Sequence, residues 1–359
     1  MKPEGRLWWA WLRSEKLLVL SALGLVATSL ALRRIPNYTW ADGEVLFLLW
    51  VLFVVTRGLQ RHGLLAHLAA RLERGGHLAL KLTLLTWGLS MVVTNDVALV
   101  AVVPLTMLLH SPAKMGLVIL EALAANAGSA LSPMGNPQNL FLYWFYQVPV
   151  PAFVGTIAPL VGVMALLLSA GAWWLDARFP ATAVLPPELP SVGRKGYVYL
   201  VGLLIMGLAV LRWVPLWVGW GPLLYAFWAD RPTLRVDYAL LATFGCFFGF
   251  TDNLRVVLAP LLQHPHHVFL LAVLLSQGLS NVPTALLLAD FTTRWQALLW
   301  GVSVGGFGTL WASLANLIAY RAYQRAQPHT TRAFLGWFHL VSFAALGVGV
   351  LLYGLWFVW

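Results

Sequence analysis

Eleven apolar runs follow one another along this chain of 359 residues, at 17–32, 43–56, 77–110, 115–146, 152–175, 197–211, 214–229, 238–250, 267–293, 297–320 and 333–358. Such runs, recurring from end to end, belong in the hydrocarbon of a bilayer, where helices satisfy their own backbone groups. Charged residues are correspondingly scarce, 10% of the chain against roughly a quarter in a soluble domain. No polar stretch is long enough for a separate soluble domain, the longest being 57–77 and 176–196. The expected fold class is an all-α polytopic membrane protein.

The net charge of +10 does not indicate a nucleic-acid partner. The basic residues sit between apolar runs, where they orient helices and meet anionic lipid. The single cysteine, Cys246, lies inside an apolar run, which excludes an intramolecular disulfide and leaves a small core residue as the plain reading. Trp8, Trp9 and Trp11 precede Lys16, and no small-residue cleavage site follows 17–32. That run is therefore read as the first membrane helix, not a cleavable signal.

Several runs do not fit single spans. Crossing roughly 30 Å of hydrocarbon takes about 20 helical residues. In 77–110 the triplet Thr94-Asn95-Asp96 leaves a second arm, 97–110, of only 14 residues, or about 21 Å. In 267–293 the pair Ser280-Asn281 leaves two arms of similar shortness. Both are read as re-entrant hairpins with polar tips inside the bilayer, the alternative being tight helix pairs with tips in water. The run 115–146 is too long for one span, and Ser132-Pro133-Met134-Gly135-Asn136-Pro137 interrupts it. Two prolines and a glycine in six residues break a helix. Exposed backbone at that depth survives only where it lines a cavity. Short amphipathic stretches are expected at 59–73 and 253–263.

The chain then repeats itself. Residues 139–147 read NLFLYWFYQ and 316–324 read NLIAYRAYQ, with Asn139, Leu140, Tyr143, Tyr146 and Gln147 meeting identical residues at an offset of 177. Gly128 falls on Gly305, and the two hairpin tips correspond. The expected organisation is an N-terminal repeat over 1–180 (hairpin 77–110, broken helix 115–146), a cytoplasmic linker over 181–196, and a C-terminal repeat over 197–359 (hairpin 267–293, broken helix 297–321). With the N-terminus in the cytoplasm, nine crossings, and each hairpin returning to its own side, 18 of the 23 lysines and arginines fall in the cytoplasm and 5 outside. That bias supports the topology. It makes the repeats inverted, as in many secondary transporters, and puts the C-terminus outside.

Inversion brings two tips and two breaks together near the midplane, where half-helix ends and open carbonyls meet solutes and ions. Thr94, Asn95, Ser132, Asn136 and Asn139 from the first half, with Ser280, Asn281, Thr284, Thr309 and Asn316 from the second, are candidate solute-binding residues. Asp96, Asn95, Ser129, Gly135, Asn281, Gly305 and Gly308 are candidates for handling a coupling cation, with Gly306 beside them. Asp96 stands out, because a carboxylate at this depth is costly and suggests a proton or cation carrier. The plainer reading makes Asp96, and likewise Asn281, a helix N-cap. Glu121, six residues into its run, is a weaker candidate. His264, His266 and His267 around Pro265 read as solvated histidines, so no metal site is assigned. HExxH, GxSxG and Walker sequences are absent, and no catalytic residue or cofactor is assigned beyond a coupling Na+ or H+.

TNDVALVAVVPL, SALSPMGNPQNL, LSNVPTALLLA and GGFGTLWASLANLI resemble the paired motifs of the ion transporter superfamily. That group includes divalent-anion/sodium symporters, citrate transporters, arsenical-resistance permeases and one class of sodium/proton antiporter. The resemblance covers essentially the whole chain. It implies tips that bind substrate carboxylates and sodium through Ser-Asn-Thr, positions filled here by Thr94-Asn95-Asp96 and Ser280-Asn281-Val282. The Asn-Asp pair is more similar to the arsenical permeases, which export a neutral arsenite or antimonite species on proton motive force. The first hairpin is preceded by one helix fewer than in typical members, in a region that such symporters use partly as a dimer scaffold. A homodimer is accordingly an open expectation. The leading expectation is an ion-coupled permease of the cytoplasmic membrane for a small anion or its neutral acid. The alternative is a sodium/proton antiporter. A channel needs a continuous pore, and an enzyme a nucleophile–base pair at membrane depth; neither is evident.

Overall fold

The computed structural model describes residues 16–65, 67–68, 76–109, 111–180, 192–258 and 267–357. Trp8, Trp9, Trp11, most of the linker over 181–196, His264 and His266 lie outside the described residues. Among those described there are fifteen α-helices and no strand. They are α1 (Lys16–Leu32), α2 (Trp40–Arg61), α3 (Leu78–Val92), α4 (Asn95–Leu108), α5 (Lys114–Ser129), α6 (Pro137–Phe145), α7 (Val150–Arg178), α8 (Arg194–Val210), α9 (Trp220–Ala229), α10 (Tyr238–Leu258), α11 (Val268–Leu279), α12 (Asn281–Ala289), α13 (Trp295–Gly305), α14 (Leu314–Ala326) and α15 (Thr331–Phe357). By length and apolarity, α7 and the segment Pro328–Phe357 containing α15 suffice to cross a membrane, while α3, α4 and α11 are apolar but short.

Local chemistry accounts for the main boundaries. Thr39 and Asp42 form a capping box at the start of α2, satisfying two otherwise orphaned N–H groups. The helix begun at Lys114 stops at Ser129, and α6 starts with Pro137, where a missing N–H costs nothing. The corresponding helix α13 stops at Gly305, and α14 resumes at Leu314 after a 3₁₀ turn at Leu310–Ala312. Two expected boundaries shift. The amphipathic stretch expected from 253 begins as the last part of α10, which runs on to Leu258, because no Gly or Pro interrupts the sequence there. The run 214–229 forms only a 3₁₀ turn, Leu216–Gly219, and the ten-residue α9, since Pro215 and Pro222 each remove a backbone donor.

Helix α3 packs on α5 and α11 on α13, while α4 lies against α14 and α12 against α6. The second arm of each hairpin therefore meets the second half of the other broken helix. Outside this body, α1 pairs with α10 and α2 with α8. The tryptophans Trp213, Trp217, Trp220 and Trp228 are exposed, as side chains facing lipid and its interface are.

The α2–α8 pair is fastened by a buried carboxylate. Asp230 Oδ2 accepts hydrogen bonds from Thr233 (2.6 Å) and Tyr199 (3.3 Å) and lies 2.7 Å from His62 Nε2, with Arg61 Nε 3.6 Å from Oδ1. Burial works to raise the Asp230 carboxyl, but the hydrogen bonds from Thr233 and His62 outweigh it and hold the group below its ordinary value.

Candidate functional site

Each hairpin turns on one residue with a left-handed backbone: Thr94 at φ 122°, ψ 151° and Ser280 at φ 76°, ψ 153°. Neither is glycine, so each tip holds strain of about 1–3 kcal/mol, which the surrounding packing must maintain. Thr94 and Ser280 are the N-cap residues of α4 and α12, and neither side chain makes a capping bond. Asp96 and Asn281 are therefore not caps: Asp96 is the second residue of α4, and its backbone N–H donates to Asn95 Oδ1 at 2.9 Å.

The two breaks are built alike. Asn139 Nδ2 donates to the carbonyls of Ser129 (2.9 Å), Ala130 (3.2 Å) and Ser132 (3.1 Å). Asn316 Nδ2 donates to those of Gly306 (3.0 Å) and Thr309 (3.1 Å), which are Ser129 and Ser132 advanced by 177. Asn136 and Ser313, also 177 apart, cap the resumed helices with nearly identical backbone angles, φ −148° and −147°. An amide thus replaces the hydrogen bonds that the interrupted helix loses. The tips are tied to these breaks. Asn95 N–H donates to the Gly135 carbonyl at 3.0 Å, and the Ser280 hydroxyl donates to the Ala312 carbonyl at 3.4 Å. A Cβ on Gly135 would lie 2.2 Å from the Ser129 carbonyl oxygen, so only glycine permits this fold-back.

Between tips and breaks lies a cavity of about 60 Å³, lined by Asn95, Asp96, Asn136, Pro137, Gln138, Leu240, Thr243, Phe244, Phe247, Ser280, Asn281, Val282, Pro283, Leu286, Ser313 and Leu314. The volume admits a few waters or one small solute. Asp96 Oδ1 and Gln138 Oε1 have no hydrogen-bond partner. Two residues of the lining thus carry a buried side-chain oxygen without a partner, and no lysine or arginine is among the described residues that form it.

Of the candidates named from sequence, Asn95, Asp96, Asn136, Ser280 and Asn281 line this cavity. The others brace it. Ser132 bonds the Met91 carbonyl through its hydroxyl, and Ser129 donates to the Asn126 carbonyl while accepting from Asn136 Nδ2 at 2.5 Å. Thr284 is fully buried and its hydroxyl donates to the Ser280 carbonyl at 2.8 Å. Thr309 donates to the Gln277 carbonyl at 2.7 Å. Gly308, at φ 102°, leaves room for Gln277 Oε1, which lies 2.2 Å from where its Cβ would be. Gly305 packs against Ser276 and Gly306 against the amide of Asn281. Sequence reading missed Gln138, Ser313, the α10 wall of Leu240, Thr243, Phe244 and Phe247, and Asn126. Gln138 adjoins named motif residues and Ser313 follows from the offset of 177. Nothing local marks the α10 wall.

Comparison with known proteins places the chain among transporters. The inner membrane protein YbiR of Escherichia coli K12 is 35% identical over 301 residues, covering 78% of this chain and 80% of the relative. The uncharacterized transporter MJ0456 of Methanocaldococcus jannaschii is 30% identical over 294 residues, covering 78% and 81%. The silicon efflux transporter LSI3 of Oryza sativa subsp. japonica is 26% identical over 393 residues, covering 80% and 81%. The family model for citrate transporters matches residues 7–301, so the chain is a membrane protein that belongs to the citrate transporter family, within the ion transporter superfamily.

Proposed function

We propose that this transporter is a secondary active one, coupled to H+ or Na+, that moves a small acid in its neutral, hydroxyl-bearing form across the cytoplasmic membrane. The cavity between the tips carries this reading. Its unpaired acceptors on Asp96 and Gln138 suit a solute that brings its own donors, and its lining offers no cation to a tricarboxylate such as citrate. The rice relative, named for silicon efflux, supports a small solute as well. Asn95, Asn136, Ser280 and Asn281 would hold the solute; Asp96 would take up the coupling ion.

The offset of 177 shared by the breaks and their hydrogen bonds supports two structural repeats. The charge bias of the loops supports their inversion, with the N-terminus inside, the C-terminus outside and re-entrant hairpins opening to opposite sides. In this reading alternating access exposes one cavity to each side in turn. A second reading, sodium/proton antiport, draws on the same unpaired oxygen of Asp96, with the cation as the only cargo.

The deciding experiment uses purified protein in liposomes under an imposed proton or sodium gradient. Small neutral acids, their anions and citrate are tested for accumulation. Accumulation of a neutral acid supports the first reading. Sodium–proton exchange with no solute moved favours the second. No movement under either gradient overturns both.

A further inference from the structure

We infer that Glu121 and Thr106 form a proton-binding site of the transporter, separate from the cavity at Asp96. Glu121 is the eighth residue of α5 (Lys114–Ser129), and it and Thr106 on α4 are both fully buried. The Thr106 hydroxyl donates to Glu121 Oε1 at 2.5 Å, and Oε2 has no partner. An ionised carboxylate can accept about four hydrogen bonds; this one has a single donor and sits in a helix whose flanking residues Leu117, Val118 and Leu120 are buried and apolar. A hydroxyl both donates and accepts, so Thr106 can serve either protonation state by reversing the direction of one bond. Loading and release of a proton then need no repacking.

Packing alone does not require an acid here. The position 177 further on is Leu298, also fully buried, so the matching place in the second half takes an apolar side chain. An intramembrane carboxyl standing where leucine fits points to chemistry. It is also distinct from Asp96, which lies ten residues from Thr106 along α4, or about 15 Å. The end of α4 nearer Glu121 is held by Lys114 Nζ on the Met107 carbonyl at 2.9 Å.

Titratable or charged side chains on the helices packed against α5 are Lys81 on α3, Asp96 on α4, Asp176 and Arg178 on α7, Tyr320, Arg321, Tyr323 and Arg325 on α14, and Arg332, His339 and Tyr353 on α15. Asp176 accepts from the N–H groups of Ala79 and Leu80, His339 lies on the Leu335 carbonyl, and Tyr323 bonds Thr330. Glu121 keeps its single bond to Thr106.

The inference rests on the transport reading for its use but not for its test. Infrared difference spectra of the protein in lipid, titrated with protons alone, should contain a titrating carboxyl band that Glu121→Gln removes. Thr106→Val, which keeps the acid, should shift the pH at which that band titrates. In liposomes, with a solute that wild type accumulates on a proton gradient, Glu121→Gln should lower the proton-to-solute ratio by one. Titrating bands identical in wild type and Glu121→Gln would overturn the site, as would an unchanged ratio. Wild type that moves no solute would count against the transport reading alone, and the spectra would still decide the site.

Discussion

Asn126 donates its side-chain amide to Oδ1 of Asn316 at 2.7 Å, across 190 residues of sequence. The same Asn126 accepts from Asn95 Nδ2 at 3.3 Å, and Asn316 in turn holds the carbonyls of the second break. A chain of three amides therefore runs from the first hairpin tip into the second break. At the position equivalent to Asn126 stands Ser303, whose hydroxyl has no partner, and Asn139 Oδ1, equivalent to the acceptor on Asn316, is also unpaired. The bridge exists once, not twice, so the two halves of the site are not mechanically equivalent.

Removing the bridge should be costly. Asn126→Ala leaves a donor on Asn95 and an acceptor on Asn316 unsatisfied in the interior, at about 1–3 kcal/mol each. A double-mutant cycle with Asn316→Ala, read by reversible unfolding in mixed micelles, should give a coupling above about 0.5 kcal/mol. Additive single effects would mean that the bridge joins nothing.

Gln138 tests the cavity itself. It lines the cavity, is 1% exposed, and its Oε1 is buried without a partner. Gln138→Leu keeps bulk and removes the acceptor. It should raise KM for the transported acid with little change in maximal rate, by about 2- to 10-fold for one hydrogen bond of about 0.5–1.5 kcal/mol. Thr284→Val, whose hydroxyl is engaged by the Ser280 carbonyl, should leave KM unchanged.

The contrast between Gln138 and Thr284 also marks what could be read from sequence. The first break was legible because Pro133, Gly135 and Pro137 forbid a continuous helix, and the tips because a polar triplet and a polar pair interrupt apolar runs and leave short arms. The asparagines that bind the break carbonyls were visible as Asn139 and Asn316 through the offset of 177. What a hydroxyl or amide bonds to was not legible. Thr284 and Thr309 look like ligands by type, yet each is engaged by a backbone carbonyl in its own half. The wall of Thr243, Phe244 and Phe247 was hidden because an apolar run carries no mark of the distant element it will face. Asn126 sits in an alanine-rich stretch whose only signal is one amide in an apolar helix.

Asp230 gives the pH dependence a definite sign. The folded protein holds its carboxyl below the ordinary value, so the proton binds less tightly folded than unfolded. The stabilisation is complete above the ordinary aspartate value of about 3.9 and is lost as pH falls through the lowered one. Asp230→Asn should therefore melt below wild type at neutral pH, and the gap should close under strong acid. A gap that persists in acid would assign the loss to altered packing around His62 and Tyr199.

Orientation is tested by labelling. In a Cys246→Ser background, cysteine at Lys114 should react with an impermeant reagent only from the cytoplasmic side, and cysteine at Arg294 only from outside. These positions follow α4 and α12, the second arms of the two hairpins. Labelling of both from one side would reject the inversion.

The coupling ion is tested at Asp96. It lines the cavity as the only acid among its lining residues, and its counterpart at the second tip, Val282, lines the same cavity with no polar atom. Two tips of like backbone thus differ at their third position, one able to bind a proton or a cation and one not. Asp96→Asn keeps size and hydrogen bonding and removes the titratable group. Gradient-driven accumulation should fall, leaving at most the coupling that Glu121 supplies, while exchange of labelled for unlabelled solute continues. Asp96→Glu, which restores a carboxyl about one methylene longer, should recover part of the coupling. If Asp96→Asn accumulates solute with unchanged ion dependence, the carboxyl takes no part in coupling. The ion would then be held at Glu121 or by the carbonyls at the breaks near Gly135 and Gly308.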